Sequence, residues 1–215
     1  MSAAVEITVL FDFKDPHSYL AVAPTRSMLE TLPVRSHWYP FLGSPMRPAV
    51  RPESLDDRGG WHRYHRAVYL AGDLCRYAEA RSLPARHFQD GGLYRQVSGE
   101  IAVMGYNWAT GAGPEFARSY MDQTFEGYWD GALDLDDLAD VTLTLMRSGV
   151  DVDGFDVYCQ QEGVEELLAQ RADIGEAGGF ATPSCLLEGE AFVGRQHLPY
   201  LAERVRRKLE EEDRA

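Results

Sequence analysis

The alternation of apolar and polar positions divides the chain into two strand-bearing ends and a long helical middle. Val5 to Phe13 (VEITVLFDF) is β-branched and aromatic, with apolar residues continuous enough for a strand buried on both faces. After Asp15-Pro16 the period changes, and Tyr19, Leu20, Val22, Ala23 and Leu29 fall on one stripe of a helix. Leu32-Pro33 ends that helix, and Val34 to Phe41 predicts a second strand. A β-α-β order of this kind normally joins parallel strands by a right-handed crossover.

Gly43 to Arg58 is rich in proline, arginine, serine and aspartate and reads as a loop. Tyr64, Val68, Ala71, Cys75 and Ala78 then recur at spacings of three and four, predicting a helix over Trp61 to Arg81. Leu93 to Met104 and Glu115 to Tyr128 predict two more. Asp136 or Asp137 caps a helix over Leu138 to Met146, which Gly149 closes, and Phe155 and Val164 to Ala172 supply short helical pieces. Strand character returns at Ser184 to Leu187 and Ala191 to Val193, around a turn at Glu188-Gly189-Glu190. A last amphipathic helix runs from about Leu198 to Glu211. Strands at the two ends must pair in space, so the expected architecture is one α/β domain (residues 1–45 and 176–215) interrupted by an all-α insertion (46–175).

Composition narrows the function. A net charge of −13 over 215 residues repels phosphate backbones and anionic lipid, which argues against nucleic-acid and membrane partners. No apolar run approaches the ~18 residues that cross a bilayer, and the N-terminal stretch lacks the pattern of a secretory signal, so a cytoplasmic location is expected. The three cysteines, Cys75, Cys159 and Cys185, are far apart and form no Cys-x-x-Cys pair. That excludes a disulfide framework and dithiol redox chemistry within one chain.

The chemistry concentrates at Asp15-Pro16-His17-Ser18, where the first strand runs into the first helix. Two readings of Asp15 stand. Aspartate before proline is a favoured helix cap that the macrodipole supports; a carboxylate there is also a candidate general acid or base. His17 is a candidate acid–base partner or a rim residue, and Ser18 is a first-turn hydroxyl that becomes a nucleophile only if a base activates it. His62 and His65 stand three residues apart on a predicted helix; without further ligand types nearby they read as polar helix positions, and no metal site is expected. Trp38, Tyr39, Phe41, Trp61 and Trp108 are either core or the floor of an aromatic pocket between domain and insertion. Cys185 reads as a buried, inert thiol.

Five stretches carry a family resemblance: FDFKDPHSYLA (11 to 21), YPFLGSPM (39 to 46), YLAGDLCRYAEARSLP (69 to 84), FEGYWDGALDLDDL (125 to 138) and GGFATPSCLLEGEAFVGRQHL (178 to 198). In this order they resemble the DsbA-like branch of thioredoxin folds, on the side of 2-hydroxychromene-2-carboxylate isomerases and kappa-class glutathione transferases. The resemblance implies a thioredoxin-like α/β fold with a large all-α insertion between βαβ and ββα halves. It also implies a homodimer, a small aromatic or conjugated acid as substrate, and glutathione as cofactor. Asp15 falls where those enzymes hold the glutathione sulfur with a serine. Thr182-Pro183 falls at their cis-proline turn, and Arg195 and Gln196 fall in the segment that grips the γ-glutamyl end. Arg47, Arg51, Arg58, His62 and Arg63 include the cationic candidates for the cleft. Two positions depart from the family: Asp15 replaces the serine, and Gln196 an acidic residue. A non-catalytic ligand- or partner-binding protein on the same fold is the alternative reading.

Overall fold

The protein is described by a computed structural model covering residues 5–212. Strand β1 (Glu6–Phe11), helix α1 (Pro16–Leu29) and strand β2 (Arg35–Pro40) form the expected βαβ unit, with β1 and β2 parallel in the register Glu6 to Arg35 through Phe11 to Pro40. Strand β3 (Ser184–Leu187) pairs antiparallel with β1, and β4 (Glu190–Val193) antiparallel with β3. The sheet order is therefore β2-β1-β3-β4. Between β2 and β3 come α2 (Arg58–Glu79), α3 (Arg86–Gln89), α4 (Glu100–Ala112), α5 (Pro114–Trp129), α6 (Leu138–Arg147), α7 (Phe155–Gln160) and α8 (Glu162–Glu176); α9 (Leu198–Glu212) closes the chain. This is the thioredoxin-like α/β fold with its helical insertion.

β1 is central and buried on both faces, as its apolar content requires. Ile7 and Val9 pack with Leu201 and Val205 of α9, whereas Leu10 meets Ile174 of α8 and Leu186 of β3. The largest cluster joins the βαβ unit to the helices: Phe13 lies 4.9 Å and Tyr19 5.7 Å, ring to ring, from Phe125 of α5. The helical block and the sheet thus share one core around the end of β1, and that end carries the candidate chemistry.

Two local expectations change. The helix predicted over Leu93 to Met104 is broken: residues 92–94 make a single 3-10 turn, and α4 begins only at Glu100. Gly99 adopts φ +78°, outside the helical region, and Asp136 accepts hydrogen bonds from the Ser98 and Gly99 amides at 2.8 and 2.7 Å. With Asp136 occupied there, Asp137 is the cap of α6, accepting from the Asp140 amide at 2.9 Å. The first strand also stops at Phe11 rather than Phe13, because Asp12 turns its backbone and side chain into the site described next.

Candidate functional site

The first turn of α1 is built by Asp15. In an extended conformation (φ −90°, ψ 113°) it accepts from the amides of His17 and Ser18, both at 3.1 Å, and Pro16 supplies the first helical residue without a wasted donor. Two hydroxyls complete the carboxylate: Ser18 Oγ donates to Oδ2 at 2.8 Å, and Thr182 Oγ1 donates to the same oxygen at 3.2 Å. The Thr182–Pro183 bond is cis. Ser18 Oγ also accepts from the Asp12 amide at 3.2 Å, so this buried hydroxyl is held on both sides. Burial pushes the Asp15 carboxyl above its ordinary 3.8, against the pull of the half-buried His17 and of the donors just named.

Asp12 and Lys14 are a second charged pair that sequence reasoning missed. Lys14 Nζ lies 3.1 Å from Asp12 Oδ2, with side chains 5 % and 2 % exposed. Lys14 also donates to the Ser98 carbonyl at 3.0 Å, and Asp12 Oδ2 accepts from the Gly43 amide at 2.8 Å. Burial raises the Asp12 carboxyl, with Lys14 the chief opposing influence. The signal was there in the sequence, as two charges set into the apolar run VLFDFKD, but a turn hides such residues as easily as a core.

These groups adjoin a cavity of about 540 Å³ between the residues after β2, the Ser98 loop and α8. Lys14, Gly43, Leu42, Phe180 and Arg171 line it. Gly43 is the join: a Cβ there would lie 3.6 Å from Asp12 Oδ2 and 3.9 Å from Thr182 Oγ1. Asp12, Lys14, Asp15, Ser18 and Thr182 are therefore one connected polar cluster, which reaches the mixed polar and apolar wall of the cavity at Lys14 and stands behind Gly43 elsewhere.

Other predicted residues lie elsewhere. Arg195 sits over the Tyr77 ring of α2, 3.7 Å from its centroid, and 3.8 Å from Asp73 Oδ2. Gln196 is exposed and donates to the Val193 carbonyl at 3.1 Å. Trp61 stacks on His65 and lies under Arg51, out on α2, whereas His62, Arg47, Arg58 and Arg63 are exposed. Among the described residues no group of three or more His, Cys, Asp or Glu could hold a metal ion, and no helix is long and apolar enough to cross a membrane. Trp38, Tyr39 and Trp108 do share a cavity, away from Phe41 and Trp61.

The sequence matches the DSBA-like thioredoxin domain over residues 6–206. The chain belongs to that family. This DSBA-like domain superposes on a 2-hydroxychromene-2-carboxylate isomerase with a TM-score of 0.67 at 18 % identity, covering 97 % of this chain and 98 % of the other. A "probable DsbA oxidoreductase" from Streptomyces coelicolor gives 0.74 at 16 % identity over 96 % and 91 %. The cytosolic disulfide reductase DsbM of Pseudomonas aeruginosa, solved with GSH, gives 0.61 at 15 % identity over 98 % and 100 %. No curated protein sequence is significantly similar to it. Within this DSBA-like domain the four-residue turn has Asp15 and Ser18 at its ends, not cysteines. Burial pushes the free thiols of Cys159 and Cys185 up to about 11 and about 12, so neither supplies a thiolate near neutral pH.

Proposed function

We propose that this DSBA-like domain is an isomerase-like enzyme that moves a proton on a small aromatic or conjugated acid. The observation that carries the reading is the Asp15 carboxyl, desolvated, raised in proton affinity and fastened to the cis-proline turn by Thr182. Isomerisation of such an acid moves a proton without net change in protons or electrons. In 2-hydroxychromene-2-carboxylate the hemiketal hydroxyl gives up its proton, the ring C–O bond breaks as the ketone forms, and the released phenol oxygen takes a proton back. A single carboxyl whose affinity lies closer to neutrality can take the proton and return it. His17, half-buried beside it, is the second candidate for that transfer. The 540 Å³ cavity has room for an aromatic body beside Leu42 and Phe180, and Arg171 in its wall suits a substrate carboxylate.

Glutathione has less support than the proton transfer. A carboxylate at position 15 opposes a thiolate placed ~3–4 Å away, and Arg195 is engaged by Tyr77 and Asp73. The reaction proposed needs no thiol. A homodimer and a cytoplasmic location are part of the proposal and rest on the family resemblance.

A second reading has its own observation. Four donors already meet the Asp15 carboxylate, which is all that a structural cap requires, and a non-catalytic ligand-binding protein would keep it for that reason. Interconversion of 2-hydroxychromene-2-carboxylate, followed by absorbance, separates the two. Isomerase function predicts turnover by the native protein and a loss of about 10²-fold or more in Asp15→Asn. No turnover, or turnover indifferent to Asp15→Asn, rejects it. Calorimetry with reduced glutathione is the companion measurement, and no heat of binding is expected.

A further inference from the structure

A cavity of about 620 Å³ opens between the end of β2, the second half of α4 and the α7–α8 pair, and shares no residue with the Asp15 cluster. Its walls are aromatic: Trp38 and Tyr39 from β2, Trp108 from α4 and Tyr158 from α7. The Trp108 and Tyr158 rings lie 5.1 Å apart at 53°, and the polar edge of each is tied off. Trp108 Nε1 donates to the Asp151 carbonyl at 2.8 Å, and the Tyr158 hydroxyl donates to Glu166. What remains to face a ligand is ring surface.

The rim is acidic. Asp151, Glu162 and Glu166 line the cavity and no lysine or arginine does. An anionic ligand would be repelled, whereas a cation would meet ring faces, whose quadrupole attracts it, under a rim of opposite charge. A second, independent feature lies in the wall. Asn107 is 8 % exposed, and its side-chain nitrogen is buried beside the Tyr158 hydroxyl with no hydrogen-bond partner of normal geometry. Buried amide donors are rarely left unpaired, because the lost hydration is not returned. An apolar occupant would leave the nitrogen as it is; one with an acceptor oxygen would satisfy it.

We propose that this cavity binds a small organic cation, a quaternary or protonated amine that also carries a hydrogen-bond acceptor oxygen. The Tyr39, Trp108 and Tyr158 rings hold the cationic group, Trp38 being already paired with the Arg26 guanidinium 5.6 Å from its centroid; Glu162 and Glu166 neutralise it from the rim, and Asn107 pairs with the oxygen. The site is independent of the proton-transfer chemistry at Asp15, so its success or failure leaves that reading where it stands.

Calorimetry with choline tests the site, since choline combines a quaternary ammonium with a hydroxyl. Its neutral isostere 3,3-dimethylbutan-1-ol should bind at least about tenfold more weakly. The double variant Glu162→Gln/Glu166→Gln, which remains folded, should weaken choline by about three- to tenfold. Native protein should prefer choline over propyltrimethylammonium, which has a methyl group in place of the hydroxyl, and Asn107→Ala should erase that preference. The proposal is overturned if choline gives no saturable heat, if the neutral alcohol binds as tightly, or if the double variant binds choline unchanged. An unaltered preference in a folded Asn107→Ala variant would equally reject the pairing with Asn107.

Discussion

Thr182 Oγ1 donates to Asp15 Oδ2 across 3.2 Å and joins two residues 167 positions apart. This bond fixes the start of α1 against the cis-proline turn before β3, and it determines which way the carboxylate faces. With the His17 and Ser18 amides drawing the same group from the helix side, Asp15 cannot turn out to solvent without giving up several donors at once.

The protonation of Asp15 should be visible in stability. Its folded-state affinity lies above the ordinary 3.8, chiefly through burial, so the native protein binds the proton more tightly than the unfolded chain. The stabilising contribution is complete below that ordinary value and is lost as pH rises through the raised one. Asp15→Asn carries no titrating group, and the other carboxyls largely cancel in the comparison. The margin of the native protein over Asp15→Asn should therefore narrow from about pH 4 towards neutrality, as measured by thermal unfolding in a pH series. A margin that widens with pH would mean that hydrogen bonding to the carboxylate outweighs its burial.

Lys14→Met tests the second pair. Removing the cation leaves Asp12 buried without its partner, and losing one member of a buried pair typically costs ~3–5 kcal/mol. Asp12 is itself raised by burial, so the penalty at neutral pH should shrink in acid as the carboxyl takes up a proton. Urea unfolding at two pH values measures both terms. A loss below about 1 kcal/mol at neutral pH would mean that Asp12 is already neutral there and needs no counter-ion.

The elements around the site were largely legible because their information is local. The β-branched run of β1, the stripe of α1 and the Asp15-Pro16 cap are each written within a dozen residues. The failures have a common cause. Leu93, Val97, Ile101 and Met104 keep a helical spacing, yet Gly99 breaks it and Asp136 fixes the break from 37 residues away. The Thr182 bond to Asp15 and the engagement of Arg195 by Tyr77 likewise depend on distant partners. The family resemblance brought positions 15, 182 and 183 into one site, but it offered no sign that the Lys14 charge next to the turn is folded inwards.

Gly105 marks the tightest crossing of the helical block. A Cβ there would collide with the Tyr120 hydroxyl and come 2.9 Å from Val141 Cγ1, joining α4, α5 and α6 at a point with no slack. Tyr120 cannot retreat easily, since it is fully buried and donates to the Ala102 carbonyl at 2.9 Å. Gly105→Ala should cost ~1–3 kcal/mol despite the better helix propensity of alanine. Gly111→Ala, on the same helix with nothing within 4 Å of the new Cβ, should instead gain ~0.4–1 kcal/mol. Denaturant midpoints of the two variants separate packing from propensity, and a stabilised Gly105→Ala would show that the crossing can relax.

Tyr77 is flanked by two guanidinium groups, with Arg81 Cζ 3.4 Å and Arg195 Cζ 3.7 Å from its ring centroid. Arg81 leaves from the end of the same helix, but Arg195 comes from the turn between β4 and α9, so the stack fastens α2 to the far end of the sheet. Lysine in place of Arg195 keeps the charge but loses the planar face that stacks. Arg195→Lys should lower stability by ~0.5–2 kcal/mol. Part of the loss should persist above ~0.5 M salt, where the 3.8 Å pairing with Asp73 is screened and the ring contact is not. The same variant bears on the cofactor. A fastening residue predicts a lower melting temperature and no change in the calorimetric response to glutathione. If Arg195→Lys instead melts like the native protein and removes a glutathione response that the native protein possesses, Arg195 belongs to a ligand site and the stack is incidental.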